Sequence, residues 1–173
     1  MRHAPGIWIQ RPLLCAFGLA AIWGALIPFS PGSAAGTGPD LLFCLVIAWV
    51  VRSPSGAPVW IILPLGLLAD LMLSRPLGLG ALGLLAASEL LRARAGGLRE
   101  RPFPVEWLTA GLVFALVLGA MTLLLRLAFA EAPGPAILAR HAVATALAYP
   151  LVALGLGWGL GIGAAGPATG AAR

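Results

Sequence analysis

Residues 66 to 80, from Gly66-Leu67-Leu68-Ala69-Asp70 through Ser74-Arg75-Pro76 to Gly78-Leu79-Gly80, form an apolar run that holds one carboxylate, one guanidinium and one proline. A carboxylate well inside a hydrocarbon layer costs about 2.5–3.5 kcal/mol on insertion scales. Asp70 must therefore look into the protein, or find a partner near a membrane surface. Gly66 and Asp70 are four apart and share a face on a helix, which places bare backbone one turn from a charge. Pro76 suits the first turn of a following helix, where its missing N–H is no loss. The stretch predicts a tight hairpin between two membrane helices, which much of the later chain must cover.

That reading needs the rest of the chain to be membrane as well, and it is. Of 173 residues 60% are hydrophobic and 10% charged, and the mean hydropathy is +0.98. A soluble domain carries about 25% charged residues. At about 20 residues per spanning helix there is room for five or six helices and for no sizeable soluble domain. The spacing predicts a single integral membrane domain over 1–173, with helices at about 12–29, 39–52, 57–73, 76–92, 106–129 and 135–162. The second and fourth are short of a bilayer: eleven uncharged residues separate Asp40 from Arg52, and thirteen separate Arg75 from Glu89. Their terminal charges must lie at the interfaces, or the segments half-span and line a cavity. Trp49 and Trp60 fall where an aromatic belt would put them, which favours full spans.

The N-terminal stretch from Arg2 to Ala35 has the outline of a secretory signal, but the uncharged run from Pro12 to Pro39 exceeds the 7–15 residues of an h-region. A first spanning helix is expected instead. With both termini cytoplasmic, the inner side holds Arg2, Arg11, Arg52, Arg92, Arg94, Arg99, Arg101 and Arg173 against Glu89, Glu100 and Glu106. The outer side balances Arg75, Arg126 and Arg140 against Asp40, Asp70 and Glu131, so the whole formal charge of +5 sits inside. The Arg-rich loop from Arg92 to Pro104 is then a topology anchor in contact with lipid headgroups. The sequence pI of about 11.0 reflects topology rather than a nucleic-acid partner. Alternate glycines from Gly155 to Gly163 predict a loosely wound end to the last helix, and a disordered tail over 163–173.

No catalytic, cofactor-binding or metal-ligating constellation is present. There is no Gly-x-Ser-x-Gly elbow, no His-Glu-x-x-His helix and no phosphate-binding Gly-x-x-x-x-Gly-Lys loop. Cys15 and Cys44 lie in apolar runs and act as small hydrophobes, without the spacing of a disulfide or a zinc site. His141 reads as a helix-packing or interface histidine rather than a proton relay. Asp40 after Pro39 reads first as a helix N-terminal residue. One polar set remains in the outer half: Asp70, Arg75, Arg126, Glu131, Arg140 and His141. These groups either neutralise one another or line an outward pocket for an anionic or zwitterionic ligand or a partner's segment. Within the set, Asp70 is expected to be held by Arg126 or Arg140, while Arg75 reaches headgroups.

Three motifs in order carry a resemblance: Pro39-Asp40 opening one apolar segment, Gly-Leu-x-x-Asp at Gly66 to Asp70, and Pro-Leu-Gly at Pro76 to Gly78. With this spacing, over about residues 39–92, the chain resembles the rod shape-determining membrane protein MreD family. It departs from the family at Gly80, where many members carry Asn. The resemblance implies an all-α polytopic protein with six transmembrane helices, similar to the substrate-binding subunit fold of vitamin importers. It also implies a non-enzymatic component of the bacterial elongation machinery in the inner membrane. Such a component would bind MreC and work beside MreB, RodA and a class B penicillin-binding transpeptidase in side-wall peptidoglycan synthesis. The candidate interaction or pocket residues are Pro39, Asp40, Gly66, Asp70, Pro76, Gly78, Arg126 and Arg140. The rival expectation is a solute- or lipid-binding membrane subunit of a small-molecule importer, against which the outer loops are brief.

Overall fold

A computed structural model describes residues 6–27 and 38–160, with the side chains of 159 and 160 left out. Among the described residues the chain is all-helical. The elements are α1 (Ile7–Leu26), α2 (Leu41–Arg52), a 3-10 turn (Pro54–Gly56), α3 (Val59–Met72), α4 (Leu79–Arg99), α5 (Phe103–Leu127) and α6 (Pro135–Leu160). Three of these, α1, α5 and α6, are long and apolar enough to cross a membrane. The bundle is thus a polytopic membrane protein.

The bundle is built around α2. Every residue from Leu42 to Val51 is buried, as expected of a helix that is apolar on all sides. It packs against α1, α4 and α6, while α3 lies on α1 and α4, α4 on α5, and α5 on α6. The surrounding helices each turn one stripe inward. Gln10, Leu14, Gly18 and Ile22 on α1 recur every four residues, as do His141, Thr145, Tyr149 and Ala153 on α6. The opposite faces are apolar and exposed, as with Leu108, Leu112, Leu116, Leu123 and Leu127 on α5. In a bilayer those faces meet lipid.

Several expectations change. Trp49 is fully buried in the core, so it is no interfacial belt residue, whereas Trp60 is exposed. At 12 residues α2 is about 18 Å long, against a hydrocarbon thickness of about 30 Å. Helix α4 starts three residues later than expected, at Leu79, with Pro76 in the turn ahead of it. It then continues to Arg99 through residues expected to form a loop, because Ala87, Leu91, Ala95 and Leu98 extend its buried stripe. Helix α6 stays regular through Gly155 and Gly157 to Leu160, and the expected disordered tail lies outside the described residues.

Helices α3 and α5 end alike. In each, the N–H two residues past the cap reaches back five residues, from Arg75 to the Asp70 carbonyl and from Ala130 to the Leu125 carbonyl, both at 2.9 Å. This Schellman arrangement needs a left-handed residue, usually glycine. Here Ser74 (φ 52°) and Phe129 (φ 55°) take that place.

Candidate functional site

The hairpin between α3 and α4 is joined at Asp70. Its backbone carbonyl closes α3, and its carboxylate opens α4: Oδ2 accepts from the N–H of Gly78 at 2.9 Å and of Ala81 at 3.0 Å. Gly78 is the N-cap residue of α4 and has no side chain to cap with. In a capping box two side chains satisfy the N-cap and N3 donors. One carboxylate oxygen, reaching from the preceding helix, does both here. Gly78 has φ 87°, which a side chain would strain. Gly66, one turn earlier on the same face, brings the helices into contact, since a Cβ there would lie 2.8 Å from the Ala81 Cα. Gly80 leaves room for the carboxylate, because the three atoms nearest a Cβ at that position all belong to Asp70.

This corrects the expected pairing. Asp70 is buried and bonded to backbone donors, while Arg126 and Arg140 are both exposed. Among the described residues neither arginine forms an ion pair. Arg75 does not serve only headgroups: its guanidinium lies 3.3 Å from the Asp40 carboxylate. The hairpin is thereby tied to the N-terminal end of α2.

That end carries side-chain caps of its own. Asp40 accepts from the Phe43 N–H at 2.9 Å, as the N-terminal reading expects. Its own N–H donates to Thr145 Oγ1 at 3.0 Å. His141 Nδ1 lies 2.7 Å from the Gly38 carbonyl, and the ring is tilted against Phe114, which makes it a packing histidine. Pro39 links these contacts, its carbonyl accepting from Leu41 at 3.0 Å. The structure thus gathers Pro39, Asp40, Asp70, Arg75, Pro76 and Gly78 at one end of the bundle, with Gly66 a turn deeper.

The opposite end of α2 is held by groups that sequence reasoning passed over. Arg52 donates to Glu106 at 2.8 Å and to the Ala48 carbonyl at 3.1 Å. Tyr149 donates to the same Glu106 oxygen at 2.7 Å. Arg99 donates to the Val51 carbonyl at 2.5 Å, and Arg92 to the carbonyls of Pro54 and Ala57. A helix leaves four N–H and four C=O groups unpaired at its ends, and a bilayer core has no water to take them. A short helix buried on every side must find its caps within the bundle. Arginines read as topology anchors supply them at this end. The available signal was the polar stripe His141-Thr145-Tyr149, one residue per turn on an otherwise apolar helix.

These contacts define what the polar groups can do chemically. Asp40, Asp70, Arg52, Arg75, Arg92 and Glu106 are engaged in joining elements, and among the described residues no group of histidine, cysteine and acidic side chains is placed to hold a metal ion. A cavity bounded by Phe43, Cys44, Phe114, Thr145 and Tyr149 has a volume of about 10 Å³. That is room for about one water, far below the roughly 300–1,000 Å³ of a small-molecule pocket.

Comparison with curated proteins and with solved structures returns no match. The family model for rod shape-determining protein MreD, in contrast, matches residues 8–155, which include all three motifs and nearly the whole bundle. With a match of that extent, over a bundle whose α3/α4 hairpin Asp70 caps and Arg75 ties to Asp40 at the head of α2, the chain belongs to the MreD family of rod shape-determining proteins.

Proposed function

We propose that the chain is a non-enzymatic scaffold of the bacterial elongation machinery, set in the inner membrane with both termini in the cytoplasm. It binds MreC there and supports side-wall peptidoglycan synthesis beside MreB, RodA and the class B penicillin-binding transpeptidase. The family match over residues 8–155 carries this reading. The geometry supports it, because the buried charged groups brace helix ends, which suits a rigid body that presents outer faces to partners. The arginine excess toward the α1 N-terminal side supports the orientation.

The test is purification of the tagged full-length chain from its native membranes with identification of bound proteins. MreC should be retained, and depletion of the chain should turn rod-shaped cells round. Retention of an importer's ATPase subunits without MreC, with cell shape intact on depletion, would overturn the assignment.

A further inference from the structure

The described arginines fall into two groups. Arg94, Arg99, Arg101, Arg126 and Arg140 are exposed, and Arg11, Arg52, Arg75 and Arg92 are partly buried. Three of the partly buried four have carboxylate partners, namely Glu106, Asp40 and Glu89. Arg11 has none. Its guanidinium carbon lies 5.6 Å from the Trp8 ring centroid and 5.4 Å from that of Trp60. Its Nε is covered and has no hydrogen-bond acceptor. The charge is held between two aromatic faces, and among the described residues it has no counter-ion.

The surroundings indicate what supplies one. Arg11 is the fifth residue of α1 and Trp60 the second of α3, so both lie near helix ends. Trp8 is 84% and Trp60 62% exposed, with Ile7, Ile9 and Val59 also exposed around them. Exposed tryptophans at the ends of membrane helices sit at the headgroup level, with the ring against acyl chains and its polar edge toward water. The abundant anion of that layer is the lipid phosphate, whose paired oxygens match the fork of a guanidinium. We infer that Arg11, clamped between Trp8 and Trp60, is a docking point for the phosphate of an anionic phospholipid in the leaflet at the α1 N-terminal end.

The test titrates the full-length chain, purified in mild detergent, with phosphatidylglycerol and counts bound lipids by native mass spectrometry. The first lipid should bind the wild type about tenfold more tightly than Arg11→Gln, the ratio for one charge-assisted contact. Trp60→Leu should weaken it by a smaller factor. Arg94→Gln, which alters an exposed arginine on α4, should change it less than about twofold, and excess inorganic phosphate should leave the lipid bound. Equal affinity for wild type and Arg11→Gln overturns the inference. Equal losses in Arg11→Gln and Arg94→Gln also overturn it, in favour of diffuse attraction. Displacement by inorganic phosphate reduces the site to one for free anions, and absence of any tighter first lipid in the wild type leaves Arg11 to a protein carboxylate; both outcomes refute the lipid assignment. If Arg11→Gln loses helix content, Arg11→Lys keeps the charge without the fork, and unchanged lipid affinity in it refutes the site.

Discussion

Replacing Asp70 by Ala removes the acceptor shared by the Gly78 and Ala81 N–H groups, which stand 2.9 and 3.0 Å from Oδ2. A buried donor left without an acceptor costs about 1–3 kcal/mol. For two donors the gross loss is about 2–6 kcal/mol, offset in part because a carboxylate no longer has to be buried. A net loss of about 2 kcal/mol or more lowers the melting temperature by at least about 4–8 °C for a chain of this size. Asp70→Asn retains an acceptor oxygen and should lose less than half as much. The sharper test couples this site to Gly80. In the wild type, Gly80→Ala gains about 1 kcal/mol of helix propensity, but its Cβ occupies the place of the carboxylate and so breaks the cap; the net effect is destabilising. In an Asp70→Ala background the obstacle is gone, and the same change should raise the melting temperature by a few degrees. Both are read from thermal unfolding of the detergent-solubilised protein, followed by circular dichroism. If Gly80→Ala is equally harmful in both backgrounds, or Asp70→Ala melts with the wild type, the cap is not what holds the hairpin.

Four further outcomes follow from the same contacts. Glu106→Ala leaves Arg52 partly buried and unpaired and should cost about 3–5 kcal/mol, whereas Arg52→Met with Glu106→Leu should recover most of it in a melting experiment. Gly66→Ala pushes a methyl onto the Ala81 backbone and should lose about 1–3 kcal/mol; Gly119→Ala, into open space, should be neutral or stabilising. Phe129→Gly removes a left-handed, fully exposed phenylalanine and should raise stability by about 1 kcal/mol in the same assay. In a Cys15→Ala, Cys44→Ala background, an impermeant thiol reagent applied to intact cells should label Ala132→Cys and not Gly97→Cys, and the reverse pattern would invert the proposed orientation.

What the sequence determines by itself is the material and the local joints. Composition and run length make the chain a membrane bundle, because apolar segments of this length leave no alternative that satisfies their backbone. The four-residue step from Gly66 to Asp70 places both on the face that meets α4, since helical periodicity is a local property. Asp40 is legible as a helix start for the same reason. Tertiary structure decided the partners. Asp70 was expected to need an arginine because a buried carboxylate needs compensation, and sequence spacing does not reveal that the nearest donors are backbone N–H groups across a tight turn. Arg52, Arg92 and Arg99 have the same local context as any basic residue beside an apolar run. Arg52 and Arg99 reach carbonyls of α2, and Arg92 reaches those of the turn after it, only because α2 is buried on every side and its last turn meets the neighbouring helices. Tyr149 and Glu106 are 43 residues apart, and only the packing of α2, α5 and α6 brings them to one oxygen, since contacts between helices depend on how the faces meet rather than on the order of residues within each.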